Sequence, residues 1–240
     1  MTADATPPGE TSYLSGDSLE EQIAAAMTAE RAGQAHGATG KVLKHALLDL
    51  RRRTMRDVVR GDRIAARLAK GVDDIVLTLF KLSKEGVGKN IAVCAVGGYG
   101  RSELAPYSDV DLLFLHRPQG EQPLRDALNR LLYPLWDSGV KLGYSAHTPS
   151  GAVEFAKGDI VARTAYLDAR FLCGERELYD EFRDGFEKLR RKTLSEFVAA
   201  KLEEQAERQA KAFETRYLVE PDVKEAKGGL RDLQTIRWIY

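Results

Sequence analysis

The chain has 240 residues, and its 36 Lys and Arg balance 36 Asp and Glu, so the formal charge is zero. That length suits one large or two small domains, and the charge balance argues against nucleic-acid binding through bulk charge, leaving only a local basic patch open. The composition is that of a soluble globular protein, no apolar run reaches the ~20 residues of a membrane span, and the N-terminus lacks a basic segment followed by an apolar one. The expectation is a cytoplasmic protein with no nucleic-acid or membrane partner.

Residues 1–17, rich in Thr, Pro, Gly and Ser, read as disordered. Ser18 and Glu21 fit a capping box that opens a helix carrying Leu19, Ile23, Ala26 and Met27. Gly33 to Gly40 interrupts it. Lys41–Lys70 reads as one long amphipathic helix and Val72–Ser83 as another, ended by Gly86 and Gly88. The cluster Arg51, Arg52, Arg53 and Arg56 is a solvated face or, less often, a polyanion contact.

Ile91–Val96 reads as a buried strand, Gly97-Gly98 as a turn, Tyr99–Leu104 as one helical turn, and Val110–His116 as a second buried strand. Gln122–Ser138 is helical with Gly139 past its end. Val140–His147 is a third strand candidate, and Pro149–Lys157 and Ile160–Ala169 read as short helices. From Glu175 to Thr215 the pattern is helical and strongly charged. Cys94 and Cys173 each sit in an apolar run and read as core residues, not as a disulfide framework. The chain stops inside an apolar helical pattern, as a fragment of something longer would.

Asp109 and Asp111 carry the chemistry. Side chains at i and i+2 of a strand point to one face. Two carboxylates there repel each other, and their burial is costly unless a cation sits between them. Mg²⁺ supplies that charge, taking a few carboxylates and completing its shell with water and phosphate oxygens. A bare D-x-D is commonly a solvated edge. Here Gly97-Gly98 follows a buried strand, with ten residues between it and Asp109. Glycine admits positive φ and close backbone approach, so N–H groups there can face a phosphate.

Gly97-Gly98 after one strand, with D-x-D opening the next, resembles the nucleotidyltransferase superfamily related to DNA polymerase beta. The stretch Gly97-Gly-Tyr-Gly-Arg-Ser-Glu-Leu-Ala-Pro-Tyr-Ser-Asp-Val-Asp-Leu-Leu-Phe-Leu115 resembles, more closely, the signature of the bacterial PII uridylyltransferase/uridylyl-removing enzymes. Leu135-Trp-Asp-Ser-Gly-Val-Lys-Leu-Gly143 and Glu220-Pro-Asp-Val-Lys-Glu-Ala-Lys-Gly-Gly-Leu-Arg-Asp-Leu-Gln234 resemble two further passages of that family. The likeness covers roughly 90–240 well and the N-terminal helices loosely. Where Ser102 stands, the family commonly has Gly.

The resemblance implies transfer of UMP from UTP to a tyrosine of the PII signal protein, with Asp109 and Asp111 as catalytic Mg²⁺ ligands in a two-metal mechanism. It implies a nucleotide-binding set of Gly97, Gly98, Arg101, Ser108, Lys224, Gly228, Gly229 and Arg231. Gly228-Gly229 precedes an apolar helix whose free N–H groups suit an anion, flanked by Lys224 and Arg231; an interdomain turn is the alternative. Arg101 either reaches a phosphate or pairs with Glu103 or another carboxylate. Asp168 resembles the third acid of the glutamine synthetase adenylyltransferases, while its helical setting favours an ion pair with Arg163 or Arg170. Tyr99 and His147 read as structural. Adenylyl transfer to another protein and a non-enzymatic nucleotide sensor are the competing functions. No His-Asp doublet occurs, so the uridylyl-removing HD domain and the ACT sensors of that family are not expected in this chain.

The expected fold is α+β: a polymerase-beta-like core, a small mixed sheet flanked by helices, with helices before and after it. The expected divisions are 1–17 disordered, 18–88 helical, 89–175 nucleotidyltransferase core, and 176–240 helical and truncated.

Overall fold

The computed structural model describes residues 18–57, 60–87, 90–118, 120–214 and 222–239. The reading of 1–17 and the positions of Gly88, Thr215, Glu220 and Tyr240 fall outside these residues.

Helix α1 (Leu19–Arg31) opens on the expected capping box: the Glu21 N–H donates to Ser18 Oγ, and the Ser18 N–H donates to Glu21 Oε2 at 2.9 Å. Helix α2 (Ala38–Asp57) and helix α3 (Gly61–Val87) replace the two helices divided at Lys70 and Val72. The division was misplaced at Gly71. That glycine lies inside α3, where an added Cβ would come within 3.0 Å of Leu50 Cγ. It is the contact point of two crossing helices, not a break. Gly40 plays the same part in the first turn of α2, where a Cβ would lie 3.1 Å from the Asp137 carbonyl carbon.

Strands β1 (Ile91–Ala95) and β2 (Val110–His116) are joined through a short helical turn α4 (Gly97–Gly100). The turn begins at Gly97 rather than Tyr99, because Gly97 takes φ +58°, which admits the chain to the helical turn straight from the strand. Helix α5 (Glu121–Asp137), strand β3 (Leu142–His147), helix α6 (Pro149–Gly158) and helix α7 (Ile160–Leu167) follow close to expectation. Strand β4 (Arg170–Gly174) was not expected; its apolar run is too short to declare a period. Helix α8 (Arg176–Lys192) and helix α9 (Leu194–Glu214) divide at Thr193, and helix α10 (Leu230–Ile239) ends the described chain.

The sheet has the order β3-β2-β1-β4 and is mixed: β1 pairs antiparallel with β2 and β4, and β2 pairs parallel with β3. Both faces are covered, which is why β1 and β2 read as continuous apolar runs. Ile91, Val93, Leu112 and Phe114 pack against α1, α2, α3 and α5. Ala92, Cys94, Leu113 and Leu115 pack against α6, α7 and α8. Both cysteines are free, and burial pushes the Cys173 thiol up to about 12, as suits core residues. The arginine cluster of α2 is a surface face: Arg53 pairs with Asp49, Arg56 with Asp57, and Arg51 lies over the Tyr107 ring. Among the described residues, no helix is long and apolar enough to cross a membrane.

Candidate active site

Asp109 is the second residue before the register position of Asp111 in β2. Asp111 shares the parity of Leu113 and Leu115, so it lies at the end of the face that α6–α8 cover, and Asp109, just before the strand, lines the same cavity. Asp111 is half-buried; burial, then the neighbouring Asp109 charge, raises its pKa. No cation among the described residues pairs with either carboxylate.

Glycine clears the space around Asp111. A Cβ on Gly97 would sit 3.6 Å from Asp111 Oδ2. A Cβ on Gly143, which faces Asp111 in the parallel β2–β3 register, would collide with Asp111 Oδ1. A half-buried carboxylate with no protein cation, one charged neighbour and two side-chain-free flanks fits a divalent ion as ligand. The described residues contain no cluster of three or more metal-ligating side chains, so Asp109 and Asp111 are the candidate pair without a third.

The pair opens into a cavity of about 470 Å³. Gly97, Gly98, Arg101, Ser108, Lys224 and Arg231 of the expected binding set line it together with both aspartates. Gly97 and Gly98 open a helical turn, and the first N–H groups of such a turn have no intrahelical acceptor. The chain leaves the turn through Ser102, at φ +60° the only non-glycine residue in the left-handed region among those described. That geometry is the physical reason glycine suits this place.

Gly228 and Gly229 do not line the cavity. The Gly228 N–H donates to Asp232 Oδ2 at 2.8 Å, that of Gly229 to the Ala226 carbonyl, and those of Leu230 and Arg231 to Val223 and Lys224. The N–H groups expected to meet an anion therefore close the turn itself. Gly228 has φ +76°, and a Cβ on Gly229 would lie 2.8–3.0 Å from three carbonyl oxygens, so both glycines are needed to bring Lys224 and Arg231 to one rim.

Arg101 makes the carboxylate pairs foreseen as its alternative, to Glu103 at 2.7 Å and Asp168 at 2.6 Å. Asp168 does not pair with Arg163 or Arg170. Arg163 is drawn to the Thr193 carbonyl and hydroxyl, and β4 carries Arg170 to Asp73 of α3. Asp168 instead ends α7, with its carboxylate held by Arg101 and by the Trp238 indole N–H at 2.9 Å. Tyr99 is fully buried in the core. His147 stacks on Phe155, and burial, then His116, lowers its pKa.

Gly143, Lys201 and Trp238 were not singled out from the sequence. Gly143 was within reach of such a reading, since a glycine inside a strand marks a close approach. Lys201 and Trp238 gave no local signal.

A mixed sheet that sets two carboxylates on one strand beside a glycine turn after the preceding strand defines a polymerase-beta-like nucleotidyltransferase. Residues 75–166 match the nucleotidyltransferase domain family, and residues 196–240 match the GlnD PII-uridylyltransferase family. A bifunctional uridylyltransferase/uridylyl-removing enzyme of Erythrobacter litoralis is 43% identical over 227 residues, which is 89% of this chain and 25% of the relative. Those of Caulobacter vibrioides and Novosphingobium aromaticivorans are 43% and 42% identical over 72% and 70% of the chain, and 20% and 18% of their own lengths. The chain thus matches the GlnD PII-uridylyltransferase family in its nucleotidyltransferase part, and spans a quarter or less of the length of these relatives.

Proposed function

We propose that the chain transfers UMP from UTP to a tyrosine hydroxyl of the PII protein. The phenolic oxygen attacks the α-phosphorus, the bond from that phosphorus to the bridging oxygen breaks, pyrophosphate leaves, and the phenolic proton passes to solvent. The observation that carries this reading is the uncompensated Asp109–Asp111 pair at one wall of a cavity with Gly97-Gly98 beside it. The base and the acceptor rest on the likeness to relatives named for uridylyl transfer.

Asp109 and Asp111 would hold Mg²⁺. When bound, Mg²⁺ neutralises triphosphate charge and favours the ionised form of a phenol whose ordinary pKa is about 10. The chain's own residues do the positioning. The N–H groups at Gly97 and Gly98 and the Ser108 hydroxyl contact phosphate oxygens, and Arg101, Lys224 and Arg231 supply positive charge along the tail. Gly228 and Gly229 act through the turn that presents the last two. The transfer chemistry then belongs to residues 89–175 and the additional cations to 176–240.

Incubation with labelled UTP or ATP and Mg²⁺, with PII or glutamine synthetase as acceptor, tests the reading. Label passing from UTP to PII is expected. Label passing only from ATP, or only to glutamine synthetase, overturns it in favour of an adenylyltransferase.

A further inference from the structure

Trp238 is 5% exposed and stands on α10 against the cavity. Three cations surround its ring: Lys201 Nζ lies 4.9 Å from the ring centroid, and the Arg101 and Arg231 guanidinium carbons lie at 5.8 Å. All three line the same cavity as Asp109 and Asp111. Like charges are gathered in this way only where something offsets their repulsion. The indole face supplies part of that offset, and carboxylates supply the rest: Glu103 and Asp168 for Arg101, Glu204 for Lys201 at 2.7 Å, and Glu225 for Arg231 at 3.2 Å.

The partners differ in freedom. The Lys201 and Arg101 side chains are 3% and 7% exposed, whereas those of Glu204 and Glu103 are 37% and 43% exposed. A half-exposed carboxylate can swing into water at little cost. A buried ammonium left without a counter-charge cannot remain so cheaply. When a polyanion enters, Glu204 and Glu103 are therefore the groups that yield, while the cations and the buried Asp168 stay.

We infer that α9 and α10 form a clamp for the polyphosphate tail of the nucleotide, in which Lys201 is a contact residue and Trp238 a positioning residue. The inference rests on this cavity being the nucleotide site, but neither on uracil nor on PII. It assigns Lys201 a ligand that a mere i,i+3 helix pair with Glu204 would not have.

Trp238 supplies its own reporter. In a Trp136→Phe background, its fluorescence is titrated with UTP, ATP and UMP. Lys201→Met is expected to weaken UTP and ATP binding about tenfold or more, the scale of a hydrogen bond to a charged group, while UMP changes less than about twofold. Lys201→Arg restores most of the loss. Glu204→Gln, which removes the resting partner without emptying the core, is expected to tighten UTP binding and leave UMP unchanged. Equal effects on UTP and UMP in folded Lys201→Met, or weaker UTP binding in Glu204→Gln, would overturn the clamp. Triphosphate selectivity retained without uridylyl transfer to PII would instead refute the proposed function and leave the clamp standing.

Discussion

Gly143 faces Asp111 across the parallel β2–β3 pair, and the space a methyl group would take at Gly143 is occupied by the Asp111 carboxylate. Glycine here serves the neighbouring acid, since the chain at Gly143 is an ordinary strand. Gly143→Ala is therefore expected to turn the carboxylate away without unfolding the sheet, because the colliding atom is the end of a side chain. Transfer should fall at least about tenfold, in the range found for groups that orient metal ligands. Circular dichroism and thermal midpoint should stay close to wild type; full activity in a folded Gly143→Ala protein would contradict the geometry.

Asp111→Asn separates catalysis from folding. Transfer should drop by more than about 100-fold, since the ligand for a charge worth several kcal/mol is removed. The pKa of Asp111 is raised in the fold, so its ionisation opposes folding. The sign follows: without metal, stability due to this group is greatest below the unfolded value near 3.8 and declines as pH rises through the raised folded value. At neutral pH the metal-free Asn variant should melt at or above wild type. Mg²⁺ should raise the wild-type midpoint but not that of the variant.

Ser102 holds a left-handed conformation that costs an L-residue about 1–2 kcal/mol, while a glycine there gives back about 0.5–1 kcal/mol in unfolded-chain entropy. Ser102→Gly is expected to stabilise by about 0.5–1 kcal/mol, readable as a shift in denaturant midpoint at constant slope. A destabilised glycine variant would show that the Ser102 side chain contributes more than its backbone costs.

Arg101 and Asp168 form an ion pair whose side chains are 7% and 6% exposed. Removing Asp168 leaves the buried Arg101 guanidinium only the half-exposed Glu103 as a counter-charge. Asp168→Ala should cost about 3 kcal/mol, measured by denaturant unfolding, and should loosen Trp238, whose N–H loses its acceptor. The fluorescence of Trp238 in a Trp136→Phe background reports that loosening. A cost below about 1 kcal/mol would show the pair to be hydrated and dispensable.

His147 titrates below its ordinary value because it is half-buried and lies near the His116 charge. Acid then favours the unfolded chain, which binds the proton more readily. Stability should begin to fall as pH drops below about 6.5, the unfolded value, and continue to fall to the depressed folded value. His147→Gln should flatten that part of the pH–stability curve; an unchanged curve would assign the acid response to other groups.

What the sequence determined by itself is what short-range order can carry. The capping box at Ser18, the runs Ile91–Ala95 and Val110–His116, and the glycine turn with D-x-D beyond it were legible because strand period, cap chemistry and glycine geometry act within a few residues. The short strand Arg170–Gly174 and the unbroken passage of α3 through Gly71 were not, since each depends on a partner distant in the chain, β1 for one and Leu50 for the other. The same holds at the site. Asp109 and Asp111 were visible as a pair, but only the folded chain decided that Asp168 is held by Arg101 and Trp238. Only the fold decided, too, that the N–H groups of the second glycine turn are spent within it, and that Lys201 meets the cavity. Ion pairs and packing choose partners by distance in space, and one-dimensional spacing holds no record of that distance.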